Sequence, residues 1–447
     1  MRMWKWKRLA IVLAAVSTVV YIVEFRNSNS ATHAPDFNVV KPVADFYGAK
    51  RASDFYGVPE MTLTVRLTST PGPNRPPSSP NILNYFYCTL LRSATLYWSS
   101  QLGNVGIILD EDNPKDHEFA AGLVKHQTKI GINFSIYYEP LPPNLQVLTA
   151  SRGDTKGYNR QLYSSFLMDN LIKTPVVAWI DADAKFITPV TRDNIMKGYK
   201  LRVKGKDTFV NDWVRRWDKT TKRMVGKPMP SDFMTYFPVY IWRDTITNCR
   251  NHIIKYMNVS TIEEAYMKAV AQDYSSPVNI IMTYAYYFEK DRYDWHIDIG
   301  SLDLQIYNKV HLTTGYELQP TDITRDLHVA LHDKYYLDTT NKINRHAYCT
   351  AINETVINMD AAIRRMCQPF KGIVMWSLFE FTTHKPLIEH LTTWCRNQNI
   401  ECVSLINEHF KNTAKLINNG VYDLDLNKVK SVEIAAKEMN IQCKAFH

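Results

Sequence analysis

Val176-Val177-Ala178-Trp179-Ile180-Asp181-Ala182-Asp183-Ala184-Lys185-Phe186 is an apolar strand pattern that ends abruptly in two carboxylates one residue apart. Side chains along a strand alternate faces, so Asp181 and Asp183 can project together from the carboxyl end of a buried strand, where open α/β sheets bind ligands. Hard divalent cations prefer carboxylate oxygens, which makes the pair a candidate address for a cation and a phosphate. The same spacing at Asp110/Asp112 and Asp423/Asp425 reads as chance or as solvated turn residues. Only Asp181/Asp183 follows a wholly apolar run and leads into Phe186-Ile187-Thr188-Pro189. The bland alternative is two carboxylates that merely end a strand.

Outward from this stretch, strand and helix patterns alternate. Residues 61–67 form a β-branched alternating run and 82–98 have helical periodicity. An apolar strand at 105–109, a helix at 116–125, a strand at 132–138 and a helix at 158–172 lead to the strand at 176–180. Four strands joined by helical crossovers predict a parallel α/β unit with both sheet faces covered and a ligand crevice at the carboxyl ends. The chain has no Gly-x-Gly-x-x-Gly and no Gly-x-x-x-x-Gly-Lys loop, so a nucleotide diphosphate held through a metal suits the Asp pair better than a dinucleotide or a P-loop triphosphate. Further elements are expected near 233–242, 261–270, 291–299 and in the His-bearing run 327–334. From residue 372 the pattern changes to a small α/β appendage, read as a structural or partner-binding module, with strands at 372–378 and 401–406 and helices at 386–397 and 432–439.

Composition sets the location. Arg2, Lys5, Lys7 and Arg8 precede an uncharged run flanked by Trp4, Trp6, Tyr21 and Phe25, the pattern of a signal anchor whose positive side stays in the cytoplasm. The expected organisation is a cytoplasmic tail at 1–8, a transmembrane anchor at 9–25, a stem at 26–58, a catalytic domain at 59–370 divided at 190/191, and the appendage at 371–447. A cleaved signal peptide with a cut before Ala31, giving a secreted protein, is the rival; both readings place the remainder in the secretory lumen. The sequons at Asn133, Asn258 and Asn353 agree with that compartment. Of seven cysteines, only Cys88 and Cys249 precede residue 300, and one or two disulfides are expected in the C-terminal part. The net charge of +9 is spread along the chain rather than gathered into a stripe, which argues against nucleic-acid binding.

The Asp pair, the preceding Gly157-Tyr158-Asn159-Arg160-Gln161 and the four-strand half resemble nucleotide-sugar-dependent glycosyltransferases of the GT-A fold. The basic anchor and stem are similar to those of type II, single-pass Golgi glycosyltransferases. Asp273-Tyr274 and Trp295-His296 add a narrower resemblance to a little-characterised set grouped with the glycosyltransferases. The resemblance covers roughly residues 60–340, and no sugar-specific motif accompanies it. It implies a Rossmann-like GT-A domain with a mainly parallel twisted sheet. The implied partners are a UDP- or GDP-sugar donor and a glycan or glycoprotein acceptor, with Mn²⁺ or Mg²⁺ as cofactor; a homo-oligomer stays open. Asp183 would be the metal ligand, Asp181 its partner or a donor contact, and His332 or His328 a third ligand.

Other candidates rest on residue type and position. Arg160 and Lys334 are phosphate contacts, with a surface ion pair as the rival for Arg160. Asp273, then Glu264, is the carboxylate to remove an acceptor proton if the reaction inverts; both have solvated helix residues as their plain reading. Trp295, His296 and Trp242 are acceptor-site candidates, set against ordinary core packing. A metal-dependent hydrolase such as a phosphodiesterase, and a non-catalytic nucleotide-sugar-fold binding protein, are the competing functions.

Overall fold

β1 (Met61–Arg66) is buried at every position, as expected of a strand covered on both faces by helices. The computed structural model describes residues 57–69, 82–150, 156–184, 186, 190, 192–206, 212–234, 237–270, 273–298 and 426–443. After β1 come α1 (Ile82–Tyr85), a π-helical turn (Phe86–Leu91) and α2 (Arg92–Tyr97), which follow one another without a break. Then β2 (Val105–Asp110), α3 (Pro114–Ile130), β3 (Phe134–Glu139), α4 (Val147–Ala150), α5 (Lys156–Ser164), a 3-10 turn (Ser165–Leu167), α6 (Met168–Leu171) and β4 (Val176–Trp179) complete the first half. α3 begins where its sequence says it should: Asn113 accepts the Lys115 N–H at 3.2 Å, and Pro114 follows the cap. Gly103 lies so close to β1 that a Cβ there would sit 1.7 Å from the Met61 carbonyl oxygen, so only glycine fits.

The second half runs α7 (Arg192–Ile195), β5 (Met196–Lys197), β6 (Lys200–Lys206), α8 (Asp212–Val225), β7 (Val239–Trp242), α9 (Arg243–Met257), α10 (Ile262–Val270), α11 (Pro277–Phe288) and β8 (Tyr293–Asp298). The main sheet has the order β3-β2-β1-β4-β7. β1, β2, β3 and β4 are parallel, and only β7 runs against its neighbour, β4. Leu63 stands opposite Val105 on one side and Ala178 on the other, so the centre of the sheet is apolar. The architecture is therefore α/β and Rossmann-like, with a mainly parallel sheet. A smaller sheet, β5-β6-β8, lies beside it.

The last described helix, α12 (Leu426–Glu438), lies on α3, the π-helical turn and α2. Val429, Val432, Ala435 and Ala436 form its buried face. Arg92 pairs with Glu433, and Glu438 meets His126 at 2.8 Å and Lys125 at 3.2 Å. On α3, a Cβ at Gly122 would come within 2.7 Å of the Met439 sulfur, so the helix presents a smooth seat there. Cys443 closes a disulfide with Cys88. One arm of this bridge comes from the first helical segment of the domain, and the pairing expected among the C-terminal cysteines otherwise falls outside the described residues. Cys249 is a buried free thiol whose pKa burial pushes well up. The other four cysteines, the remainder of the expected appendage, the anchor at 9–25 and the stem up to residue 56 lie outside the described residues. Among the described residues, no helix is long and apolar enough to cross a membrane.

Candidate functional site

The chain proceeds outward from β1 to β2 to β3, then returns to place β4 on the other side of β1. The strand order thus reverses between β1 and β4, and open α/β sheets bind ligands in the crevice at such a point. The segments that leave the two strands there are Leu67 to Ser69 and Ile180 to Ala184. Ile180 continues the ladder by donating its N–H to the Thr64 carbonyl at 3.0 Å. A tight turn follows, in which the Ala184 N–H reaches the Asp181 carbonyl at 3.0 Å. Asp181 and Asp183 are half-buried, whereas Ala182 and Ala184 are buried. The small alanines turn inward and leave both carboxylates at the rim.

The β1 exit is held by a residue that the sequence reading treated only as a helix start. Asp116, wholly buried, accepts the Ser69 N–H at 2.7 Å, the Asn113 side-chain amide at 2.8 Å and, through its other oxygen, the Asp110 N–H at 2.8 Å. The Ser69 hydroxyl also bonds to it. One carboxylate thereby ties the exit of β1 to the end of β2.

Beside it lies a buried network of charges. Arg66 donates through Nε to Glu139 at 3.2 Å and through Nη1 to the Leu67 carbonyl at 2.6 Å, and pairs with Asp110. Arg160 donates to Asp112 at 2.6 Å and to the Glu139 carbonyl, and its Nε lies 3.1 Å from Asp110. Burial pulls the Arg66 pKa down, but Glu139 and Asp110 together outweigh it and leave the group raised. Burial pushes the Glu139 carboxyl above the usual range against the opposing pull of Arg66 and Arg160. Neither expected reading of Arg160 describes this arrangement. Its guanidinium is 5% exposed and committed to carboxylates, so it is neither an open phosphate clamp nor a surface ion pair. Asp110, expected as chance or a solvated turn residue, is a buried member of the network. The missed signal is a charged residue at the carboxyl end of each of three adjacent strands: Arg66, Asp110 and Glu139.

Several other candidates have local roles. Glu264 accepts the Ser260 N–H at 3.0 Å, while its own N–H reaches the Thr261 hydroxyl at 3.2 Å; these are the bonds of a helix cap for α10. Asp273 is half-buried between α10 and α11 and pairs with Arg223 at 2.8 Å. Trp295 is a core residue: its ring packs against Phe233, Tyr286 and Tyr293, and its indole N–H bonds to the Lys290 carbonyl at 3.0 Å. That packing removes it from the acceptor-site candidates. Trp242 is half-buried, with the Arg292 guanidinium 5.7 Å from the ring centre. His296 is buried and meets Asp294 at 2.5 Å. Burial opposes ionisation of Asp294, but His296, Lys197 and Arg202 together hold it below the usual carboxylate range. Asn258 is exposed and caps the end of α9 in the left-handed conformation (φ 52°), while Asn133 is half-buried ahead of β3. His328, His332, Lys334 and Asn353 lie outside the described residues.

No family model matches the chain, and no curated protein matches it. Among solved structures, the apo form of mouse xyloside xylosyltransferase 1 aligns with 55% of this chain and 85% of its own length, at 14% identity and a TM-score of 0.31. A likeness of that size carries no argument about activity.

The donor set at the β4 exit fits a hard cation. It places two half-buried carboxylates on one turn, and Mg²⁺-like ions are commonly bound by one or two carboxylates together with substrate phosphates and water. Among the described residues, no group of three or more His, Cys, Asp or Glu side chains is gathered as for a cage supplied entirely by protein.

Proposed function

We propose that the chain is a glycosyltransferase of the GT-A type, which moves a sugar from a nucleotide diphosphate donor to a glycan or glycoprotein acceptor. A UDP-sugar is favoured and a GDP-sugar is the alternative. The observation that carries this reading is the placement of Asp181 and Asp183 at the exit of β4, beside β1, where the order of a parallel sheet reverses. Asp183, with Asp181 as its partner, would hold Mn²⁺ or Mg²⁺, and the cation would act as a Lewis acid on the departing diphosphate. The network of Arg66, Asp110, Glu139 and Arg160 fixes the neighbouring strand ends, and Asp116 ties the exit of β1 to the end of β2. Asp273 is proposed as the acceptor base. The remaining proposals are a third ligand from His328 or His332, a phosphate contact from Lys334, and a luminal Golgi location with a type II anchor.

The test measures release of UDP or GDP from a panel of nucleotide sugars by the full chain with Mn²⁺, beside Asp183→Ala. The expected outcome is Mn²⁺-dependent release in the native protein and loss of donor binding in the variant, with little change in Tm. An Asp183→Ala protein that binds donor normally refutes the assignment.

A further inference from the structure

Ser93 is wholly buried in α2. Its hydroxyl accepts the Phe186 N–H at 2.9 Å and has the carbonyls of Leu90 and Thr89 at 2.9 and 3.0 Å for its own proton. Phe186 lies three residues beyond Asp183. One helical turn further along α2, the Tyr97 carbonyl accepts the Val190 N–H at 3.1 Å. The chain that leaves the Asp pair is therefore fastened to one helix at two points. The Phe186 ring, buried at 6.0 Å from that of Trp98, holds the same stretch by packing.

The helix has its own support. Cys88 and Arg92, adjoining the Ser93 face, bind Cys443 and Glu433 of the C-terminal segment. The Arg92 N–H reaches the Thr89 carbonyl and its guanidinium reaches the Cys88 carbonyl at 3.3 Å, so side chains and backbone both satisfy the end of the π-helical turn. Serine bonding back to a preceding carbonyl fixes its own rotamer, and its lone pair is then aimed at one place. Here that place is the Phe186 amide, whose bond is lost when the hydroxyl is removed.

We propose that Ser93 is a positioning residue for the Asp181/Asp183 pair, holding the exit turn on α2 so that both carboxylates meet one cation. The proposal rests on the cation-site reading given above. Ser93 touches neither substrate nor metal; it acts through the Phe186 amide. An alanine leaves this buried N–H without its acceptor, and the turn relaxes before the core does.

The experiment titrates Mn²⁺ into the full chain with UDP or GDP present, reading free Mn²⁺ by electron paramagnetic resonance, for the native protein, Asp183→Asn, Ser93→Ala and Ser93→Thr. Ser93→Cys, similar in volume but a weak acceptor, replaces the alanine variant if that chain fails to fold. Ser93→Ala is expected to weaken Mn²⁺ binding about ten-fold, the equivalent of one lost buried hydrogen bond, while Tm falls by only a few degrees and the chain stays folded at the assay temperature. Ser93→Thr is expected to restore binding to within about two-fold, because it keeps the acceptor. Native affinity in Ser93→Ala, beside lost affinity in Asp183→Asn, overturns the role of Ser93 alone. A native protein that binds no Mn²⁺ with either nucleotide overturns the site reading and this proposal together.

Discussion

Replacing Arg160 by alanine separates a structural guanidinium from a phosphate clamp. The side chain is 5% exposed and faces Asp110 at 11% and Asp112 at 46%. The Asp112 arm is half in water and is worth at most about 1 kcal/mol. The contacts to Asp110 and to the Glu139 carbonyl are buried, and breaking a buried ion pair typically costs about 3–5 kcal/mol. Arg66 still neutralises Asp110 after the change, which brings the expected loss to the low end, about 3 kcal/mol. At about 2 °C per kcal/mol for a domain of this size class, Tm falls by about 6 °C. Urea and thermal unfolding measure the loss, and a double-mutant cycle with Asp110→Asn should give a coupling above about 1 kcal/mol. An Arg160→Ala protein with native stability and a ten-fold weaker grip on UDP or GDP refutes the reasoning and restores the clamp.

Glu264→Ala should cost about 1 kcal/mol through the lost cap of α10 and leave turnover unchanged; a large drop in turnover at native stability would contradict the cap role. Glu438 is drawn down to about 2 by its bonds to His126 and Lys125. A carboxyl depressed in the fold stabilises it above the unfolded pKa, so that contribution should fade as pH falls from about 4.5 toward about 2. Hydrogen exchange in α12 measures this, and Glu438→Gln should abolish the acid dependence; equal profiles for the two proteins would count against it. Joint replacement of Cys88 and Cys443 by serine should lower stability by about 2–4 kcal/mol, read by urea unfolding against the native protein under oxidising conditions. No loss there would show that the tie contributes nothing to the fold.

The alternation of apolar strands with amphipathic helices is a local signal, and the four strands of the first half fall within two residues of where periodicity puts them. The Asp pair stood out as a candidate because an apolar strand precedes it and a further apolar pair and a proline, Phe186-Ile187-Thr188-Pro189, follow it. Asp110 and Asp112 did not, because their partners Arg66 and Arg160 come from elements 44 and 48 residues away, and such pairing leaves no mark on a local pattern. Glu264 is the reverse case: Ser260-Thr261 followed by Glu264 spells a helix cap within five residues of sequence. Trp295 has the composition of a sugar platform, but only the rings of Phe233, Tyr286 and Tyr293 around it decide that its faces are taken.

Cys88 and Cys443 are separated by 355 positions, so a thiol made early must wait for nearly the whole chain before its partner exists. Throughout that interval the surface of α3 and the π-helical turn that later receives Val429, Val432, Ala435 and Ala436 stands bare. The newborn chain thus carries a greasy seam and an unspent sulfhydryl until residues 426–443 emerge, and a product cut short before them lacks both the helix that covers the seam and the partner of Cys88.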